Sequence, residues 1–208
     1  MVNALKADQI DTDHISVDEQ EGTGSAVILL DEAGQNSIMV YGGANQSMRP
    51  AIISDSEALI AGADILISQF ETPQGVTYEA FKVAKAHGVT TILNPAPATQ
   101  IMDDLLEVTD LIVPNETESA TLTGIEVTDL VSMNQNADKF TALGIENLII
   151  TVGDRGAYFH TPAQSGFVPA FKVKAKDTTA AGDTFIGAFS AQIKKDFSNI
   201  EAVSYTHL

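Results

Sequence analysis

The 208 residues carry 28 Asp and Glu against 11 Lys and Arg, a formal charge of −17. Such a surface repels polyanions unless its basic residues gather on one face; no such cluster is present, so nucleic acid is excluded as a partner. Hydrophobic residues make up 44% and charged residues 19%, and no apolar run reaches the length of a membrane span, which points to a soluble globular chain with no membrane role.

The absence of Cys removes disulfide frames and thiolate metal sites and fits a reducing compartment. The first ten residues lack the charged start and long apolar stretch of a signal peptide, so a cytoplasmic location is expected. His14, His87, His160 and His207 do not pair at ligand spacing, and no zinc site is expected.

Two short β-prone runs, Val27 to Leu30 and Ser37 to Tyr41, flank the turn formers Asp31 to Asn36 and predict a hairpin. Apolar strands then alternate with amphipathic helices: a strand Ile65 to Ser68, a helix over about Gly75 to His87, a strand Thr90 to Leu93, a helix Ile101 to Leu106 and a strand Leu111 to Val113. A helix beginning near Asn115, another near Asn134 to Leu143, and the strand Asn147 to Thr151 follow. Tyr158 to His160 and Gly166 to Val173 read as further strands, and Ala181 to Lys195 as the last long helix. Continuous apolar strands joined by helices imply an α/β domain whose mostly parallel sheet is covered on both faces. In such sheets ligands bind beyond the carboxyl ends of the strands, so residues following each strand are the candidates.

Neither a G-x-x-x-x-G-K-[ST] loop nor a strand-linked G-x-G-x-x-G is present. In their place Asp177-Thr178-Thr179-Ala180-Ala181-Gly182-Asp183-Thr184-Phe185 leads small residues directly into a helix. Small side chains leave the first N–H groups open, and the helix dipole favours an anion there. Asp183 in the first turn could accept a proton from an attacking hydroxyl, or could simply cap the helix. Asn115 and Glu118 share one helix face, either aimed at phosphates or closed on each other as a capping box. Thr151-Val152-Gly153-Asp154-Arg155-Gly156 is a two-glycine turn, and Glu71 stands past a strand, where a carboxylate could accept hydrogen bonds from vicinal hydroxyls.

Together these segments resemble the PfkB-type carbohydrate kinases, the family of ribokinase. The D-T-x-A-A-G-D-T-F, N-x-x-E and T-x-G-x-x-G patterns lie in register along almost the whole chain, with Asn94-Pro95-Ala96-Pro97 and the lid-junction segment Tyr41-Gly42-Gly43-Ala44-Asn45. The resemblance implies a ribokinase-like three-layer α/β/α fold over 1–208 with residues 23–45 forming part of a β lid. It implies Asp183 as catalytic base and sugar contact, and Ala180, Ala181, Gly182 and Asp183 as an anion hole. Asn115, Thr151, Val152, Gly153, Asp154, Arg155, Gly156 and Gly182 would contact ATP, and Glu71 the sugar. Glu118 would hold Mg²⁺ through water, and Asp177 and Thr179 would hold an activating K⁺.

The N-P-A-P stretch favours ribose, phosphorylated at its 5-hydroxyl, and family lids that pack in pairs imply a homodimer. Two alternatives stand beside this: a kinase for a related sugar or nucleoside, and a nucleotide- or sugar-binding protein without turnover. Complete family members carry an earlier G-G-K-x-A-N segment and continue past the last helix, so the chain is expected to be an incomplete piece of the enzyme. Ser204 to Leu208 do not resemble the family's continuation.

Overall fold

A computed structural model describes residues 1–30, 36–173 and 180–204. In chain order the elements are α1 (Val2–Ala7), β1 (Ser25–Leu30), β2 (Asn36–Tyr41), α2 (Ala44–Ser47), α3 (Glu57–Ala61), β3 (Ile65–Ser68), α4 (Gln74–Ala86), β4 (Thr90–Leu93), α5 (Asp103–Glu107), β5 (Leu111–Ile112), α6 (Glu116–Thr123), α7 (Leu130–Ala142), β6 (Leu148–Thr151), β7 (Gly156–His160), β8 (Ser165–Pro169), α8 (Ala181–Ser190) and α9 (Ile200–Val203). One turn of 3₁₀ helix, Pro50–Ser56, leads into α3 and another, Gly153–Arg155, joins β6 to β7.

Six strands form one sheet in the order β3-β4-β5-β6-β7-β8. The first four run parallel, and β7 and β8 are added antiparallel. Successive residues on a strand point to opposite faces, and the core divides accordingly. Leu93, Ile112, Leu148, Ile150 and Tyr158 pack with Phe81 of α4, Leu105 of α5 and Met133, Ala137 and Phe140 of α7. Their alternates, Ile92, Leu111, Ile149, Ala157 and Phe159, pack with Phe185, Ile186 and Phe189 of α8 and Ile200 and Val203 of α9. The result is the expected α/β/α sandwich, since strands apolar on both sides must be covered twice.

β1 and β2 form a separate antiparallel ribbon in the register Ser25↔Tyr41 to Leu30↔Asn36. Val27, Leu29, Met39 and Tyr41 on one face and Ile28, Ile38 and Val40 on the other are all exposed. Gly43 joins the ribbon to α2 at φ 51, where an added Cβ would stand 2.2 Å from the carbonyl oxygen of Gly22. No helix among the described residues is long and apolar enough to cross a membrane.

Two helix boundaries differ from the sequence expectation by four residues or more. α7 begins four residues earlier than Asn134, at Leu130, because Asp129 accepts from the Ser132 N–H while the Ser132 hydroxyl accepts from the Asp129 N–H. This reciprocal cap uses Ser where the familiar pattern has Glu or Gln. α8 stops at Ser190 and not at Lys195, because Asn199 takes the backbone groups that would extend it. Its Nδ2 donates to the Gln192 carbonyl and its Oδ1 accepts from the Lys194 N–H.

Ser119 is the one fully buried residue of α6, and Leu122 packs half-buried on the core. It is also pinned by Asn136 of α7, fully buried, whose Oδ1 accepts from the Ser119 hydroxyl at 2.8 Å and the Thr123 hydroxyl at 2.6 Å. Its Nδ2 donates to the carbonyls of Ser132 and Ile125. Asn136→Ala should lower stability by about 2–4 kcal/mol in urea denaturation of the full-length protein, because several buried polar groups lose their partner at once.

Candidate functional site

The carboxyl ends of the parallel strands are tied together by short-range hydrogen bonds. After β3, the Phe70 N–H donates to the Ala96 carbonyl, and after β4 the Asn94 N–H donates to the Ser68 carbonyl while its Nδ2 donates to the Val113 carbonyl. The N-P-A-P segment therefore bridges three strand ends. Beyond β5, Asn115 pairs with Thr151 at the end of β6, and the Thr151 N–H donates to the Pro114 carbonyl at 3.0 Å. Two motifs 36 residues apart in sequence thus meet on one rim.

Glu71 lies on the same rim, exposed. Its N–H is held by Gln69 Oε1, and its carbonyl accepts from Gln46 Nε2 at 2.7 Å, so the base of the β1–β2 ribbon sits beside it.

Asn115 and Glu118 do close as a capping box. Asn115 Oδ1 accepts from the Glu118 N–H, and Glu118 Oε2 accepts from the Asn115 N–H, both at 2.8 Å. Among the described residues neither Asn115 Nδ2 nor Glu118 Oε1 has a hydrogen-bond partner. Burial pushes the Glu118 carboxyl above its ordinary pKa; the Asn115 N–H opposes the shift and the neighbouring Glu116 charge adds to it. The capping and ligand readings are therefore compatible, because the cap uses Asn115 Oδ1 and Glu118 Oε2 and leaves Asn115 Nδ2 and Glu118 Oε1.

In the 151–156 turn, Val152 is buried and Thr151 partly so. Asp154 is exposed, and Gly153 adopts φ 51. Gly156 adopts φ 132, and any Cβ there would come within 2.0 Å of the Val168 carbonyl oxygen on β8. The second glycine is thus fixed by packing inside the sheet. The Arg155 side chain is tied to the loop before α7: Nη1 donates to the Thr128 carbonyl at 3.0 Å and Nη2 to the Val127 carbonyl at 3.3 Å. Periodicity and spacing gave no sign of this contact.

At the head of α8, Ala180 occupies the N-cap in the left-handed region, φ 59 and ψ 18, with no side-chain cap. A non-glycine residue in that region is uncommon and strained. Among the described residues no acceptor meets the N–H groups of Ala181, Gly182 or Asp183, and no atom lies within 4 Å of a Cβ placed on Gly182. Asp183 is exposed in the first turn. Asp177 and Thr179, expected to hold a monovalent cation, lie outside the described residues.

The direction of α8 follows from its other end. A cavity of about 430 Å³ is lined by Asp64, Ile65 and Thr90 at the amino ends of β3 and β4 together with Ser190 at the end of α8 and Ala191 and Lys194 just after it. Ten residues rise about 15 Å, roughly the height of a four-residue strand. The first turn of α8 therefore reaches the carboxyl rim, on the side where Glu71, Asn115 and Thr151 lie. No group of three or more acidic, His or Cys side chains forms a metal cage among the described residues.

The family model for pfkB family carbohydrate kinases matches residues 1–207. The chain is 51% identical over 200 residues to the bifunctional ribokinase/ribose-5-phosphate isomerase A of Fructilactobacillus sanfranciscensis, covering 96% of the chain and 37% of that protein. It is 48% identical over 196 residues to the ribokinase of Staphylococcus aureus, covering 94% of the chain and 64% of that protein. Its fold superposes on the structure of Arabidopsis thaliana ribokinase complexed with ribose and ATP with a TM-score of 0.77 at 32% identity, over 82% of this chain and 56% of the other. The chain thus spans less than two thirds of the length of these relatives. With the family's signature segments gathered on one rim of a ribokinase-like sandwich, the chain belongs to the pfkB family of carbohydrate kinases.

Proposed function

We propose that the full-length protein transfers the γ-phosphoryl of ATP to the 5-hydroxyl of D-ribose, giving ribose 5-phosphate and ADP. The observation that carries this reading is the uncapped first turn of α8, with Asp183 in it, directed to the rim that holds Glu71, Asn115 and the 151–156 turn. The names of the relatives, ribokinases at 48–51% identity and a ribokinase complex with ribose and ATP, support ribose and ATP as the reactants.

In this reading Asp183 receives the proton of the sugar hydroxyl as it attacks. The N–H groups of Ala180 to Asp183, open at 181 to 183, face the charge that builds on the migrating phosphoryl, where a helix N-terminus is most effective. Phosphoryl transfer passes through a loose transition state, so orientation and charge stabilisation matter more than the strength of the base. Asn115 and the Thr151–Gly156 backbone orient the nucleotide, Gly182 admits its phosphates without a side chain in the way, and Glu71 accepts hydrogen bonds from sugar hydroxyls.

Glu118 suits Mg²⁺: a half-buried carboxylate with one oxygen uncommitted fits an ion that keeps its waters and takes few protein ligands. Bound there, Mg²⁺ would neutralise phosphate charge. Asp177 and Thr179 are proposed to hold K⁺, a role the family resemblance alone suggests.

The β1–β2 ribbon is proposed as the lid of residues 23–45, covering the sugar and excluding water. One face can lie over a ligand; the other, with exposed Ile28, Ile38 and Val40, is suited to burial against a second copy, giving a homodimer. Light scattering of the full-length protein should give twice the chain mass, and Ile38→Asp should shift it to the monomer; a monomeric unaltered protein would end the dimer reading.

The reaction is tested by incubating the full-length protein with ATP, Mg²⁺ and a panel of sugars and nucleosides. Ribose should show the highest kcat/KM, with ³¹P NMR placing the phosphate on the 5-hydroxyl. A preference for another acceptor would reassign the substrate, and ATP binding without ADP formation would reassign the protein as a binding module.

A further inference from the structure

We infer that Arg155 is a positioning residue that locks α6, and with it Asn115 and Glu118, in the orientation required at the nucleotide. The inference rests on the reading of α6 and the 151–156 turn as nucleotide-binding segments.

α6 is an unusual element to carry ligands. Only Ser119 of its eight residues is buried, and a cavity of about 300 Å³, lined by Glu116, Thr117, Ala120, Thr121, Glu126 and Val127, runs along it. Apolar packing is confined to half-buried Leu122 against the core, so discrete polar contacts carry much of what fixes its angle. At its head, Asn115 pairs with Thr151, a single-residue bridge about which a helix can pivot. Behind its tail, Asn136 ties the Ile125 carbonyl to α7.

Arg155 supplies the contact that relates the tail to the turn itself. The Arg155 N–H bonds to the Val152 carbonyl and its own carbonyl accepts from the Ala170 N–H, so its backbone is built into the β6–β8 edge. From that base the guanidinium reaches the consecutive carbonyls of Val127 and Thr128, 27 to 28 residues back in the chain. A loop closes through β6, the turn, Arg155, the 127–128 carbonyls, α6 and the Asn115–Thr151 bridge. A planar fork meets the two adjacent acceptors in a fixed geometry that a rotatable ammonium does not reproduce. The side chain contacts no reacting group in this arrangement; it acts through α6.

The test uses Arg155→Ala and Arg155→Lys in the full-length protein. Amide hydrogen exchange at Glu118 and Ser119, whose N–H groups report the α6 cap, should quicken about tenfold in Arg155→Ala, and less in Arg155→Lys, which can hold one carbonyl. KM for MgATP should rise about tenfold while KM for the sugar stays within about twofold and kcat falls little. Unchanged exchange at those amides in both variants would overturn the inference, as would equal losses in both KM values. If Arg155→Ala does not fold, Arg155→Lys alone decides by the same readouts. A wild-type protein that neither binds nor consumes ATP would sink the kinase reading, while the exchange measurement, which requires no turnover, would still decide whether Arg155 locks α6.

Discussion

Replacing Asp183 by Asn in the full-length protein should lower kcat by about 10³-fold while leaving the dissociation constant for ATP within about twofold of its original value, as expected for loss of a proton acceptor that takes no part in holding the nucleotide. The direction follows from charge. ATP is an anion, and removing a carboxylate from the first turn of α8 cannot weaken its attraction to the open N–H groups there. The side chain is exposed and makes no contact in the core, so the substitution leaves the fold intact and thermal stability should not move. Stopped turnover with intact nucleotide binding separates a base from a cap; near-normal turnover would show that Asp183 only decorates the helix.

Glu118→Gln should separate the two roles of its side chain in the same way. Gln retains a side-chain oxygen to accept from the Asn115 N–H, so the capping box survives. It removes a carboxylate whose charge burial disfavours. Because the folded-state pKa of Glu118 is raised, the folded chain holds that proton more tightly than the unfolded chain does. Its contribution to stability is full below the unfolded carboxylate pKa and is lost as pH rises through the folded value. The variant and the wild type should therefore melt at the same temperature in acid, and the variant should melt at an equal or higher temperature at neutral pH. Activity should move the opposite way, with kcat/KM for MgATP falling about 10²-fold, because the hard oxygen ligand is gone. A variant with undiminished activity would leave Glu118 as a helix cap alone.

The fold was legible where periodicity is strong. The strands at 65–68, 90–93 and 148–151 and the helix at 74–86 follow from short apolar runs and from apolar residues recurring at helical spacing. The small helices at 44–47 and 57–61 and the 3₁₀ turn between them were not anticipated, being too short to show a period. The end of α8 escaped because Asn199 competes for backbone groups from beyond the helix.

The candidate site divides along the same line. Asp183, Gly182, Asn115, Glu118 and Glu71 were candidates on the sequence alone, because each stands next to the strand or helix end that exposes it and because the family's segments are contiguous. The bonds from the Arg155 side chain to the 127–128 carbonyls were not legible, since those partners lie in a loop with no pattern of its own.

The amino-acid sequence by itself determined the sandwich and which candidate residues follow its strand ends, because hydrophobic alternation, glycine placement and helix capping act over a few residues. The tertiary structure alone decided that Asn115 meets Thr151, that α8 runs from the carboxyl rim to the amino ends of β3 and β4, and that α6 is held by Asn136 and Arg155. Those contacts join segments tens of residues apart, and their hydrogen bonds exist only once burial has brought the segments together and removed the competing water.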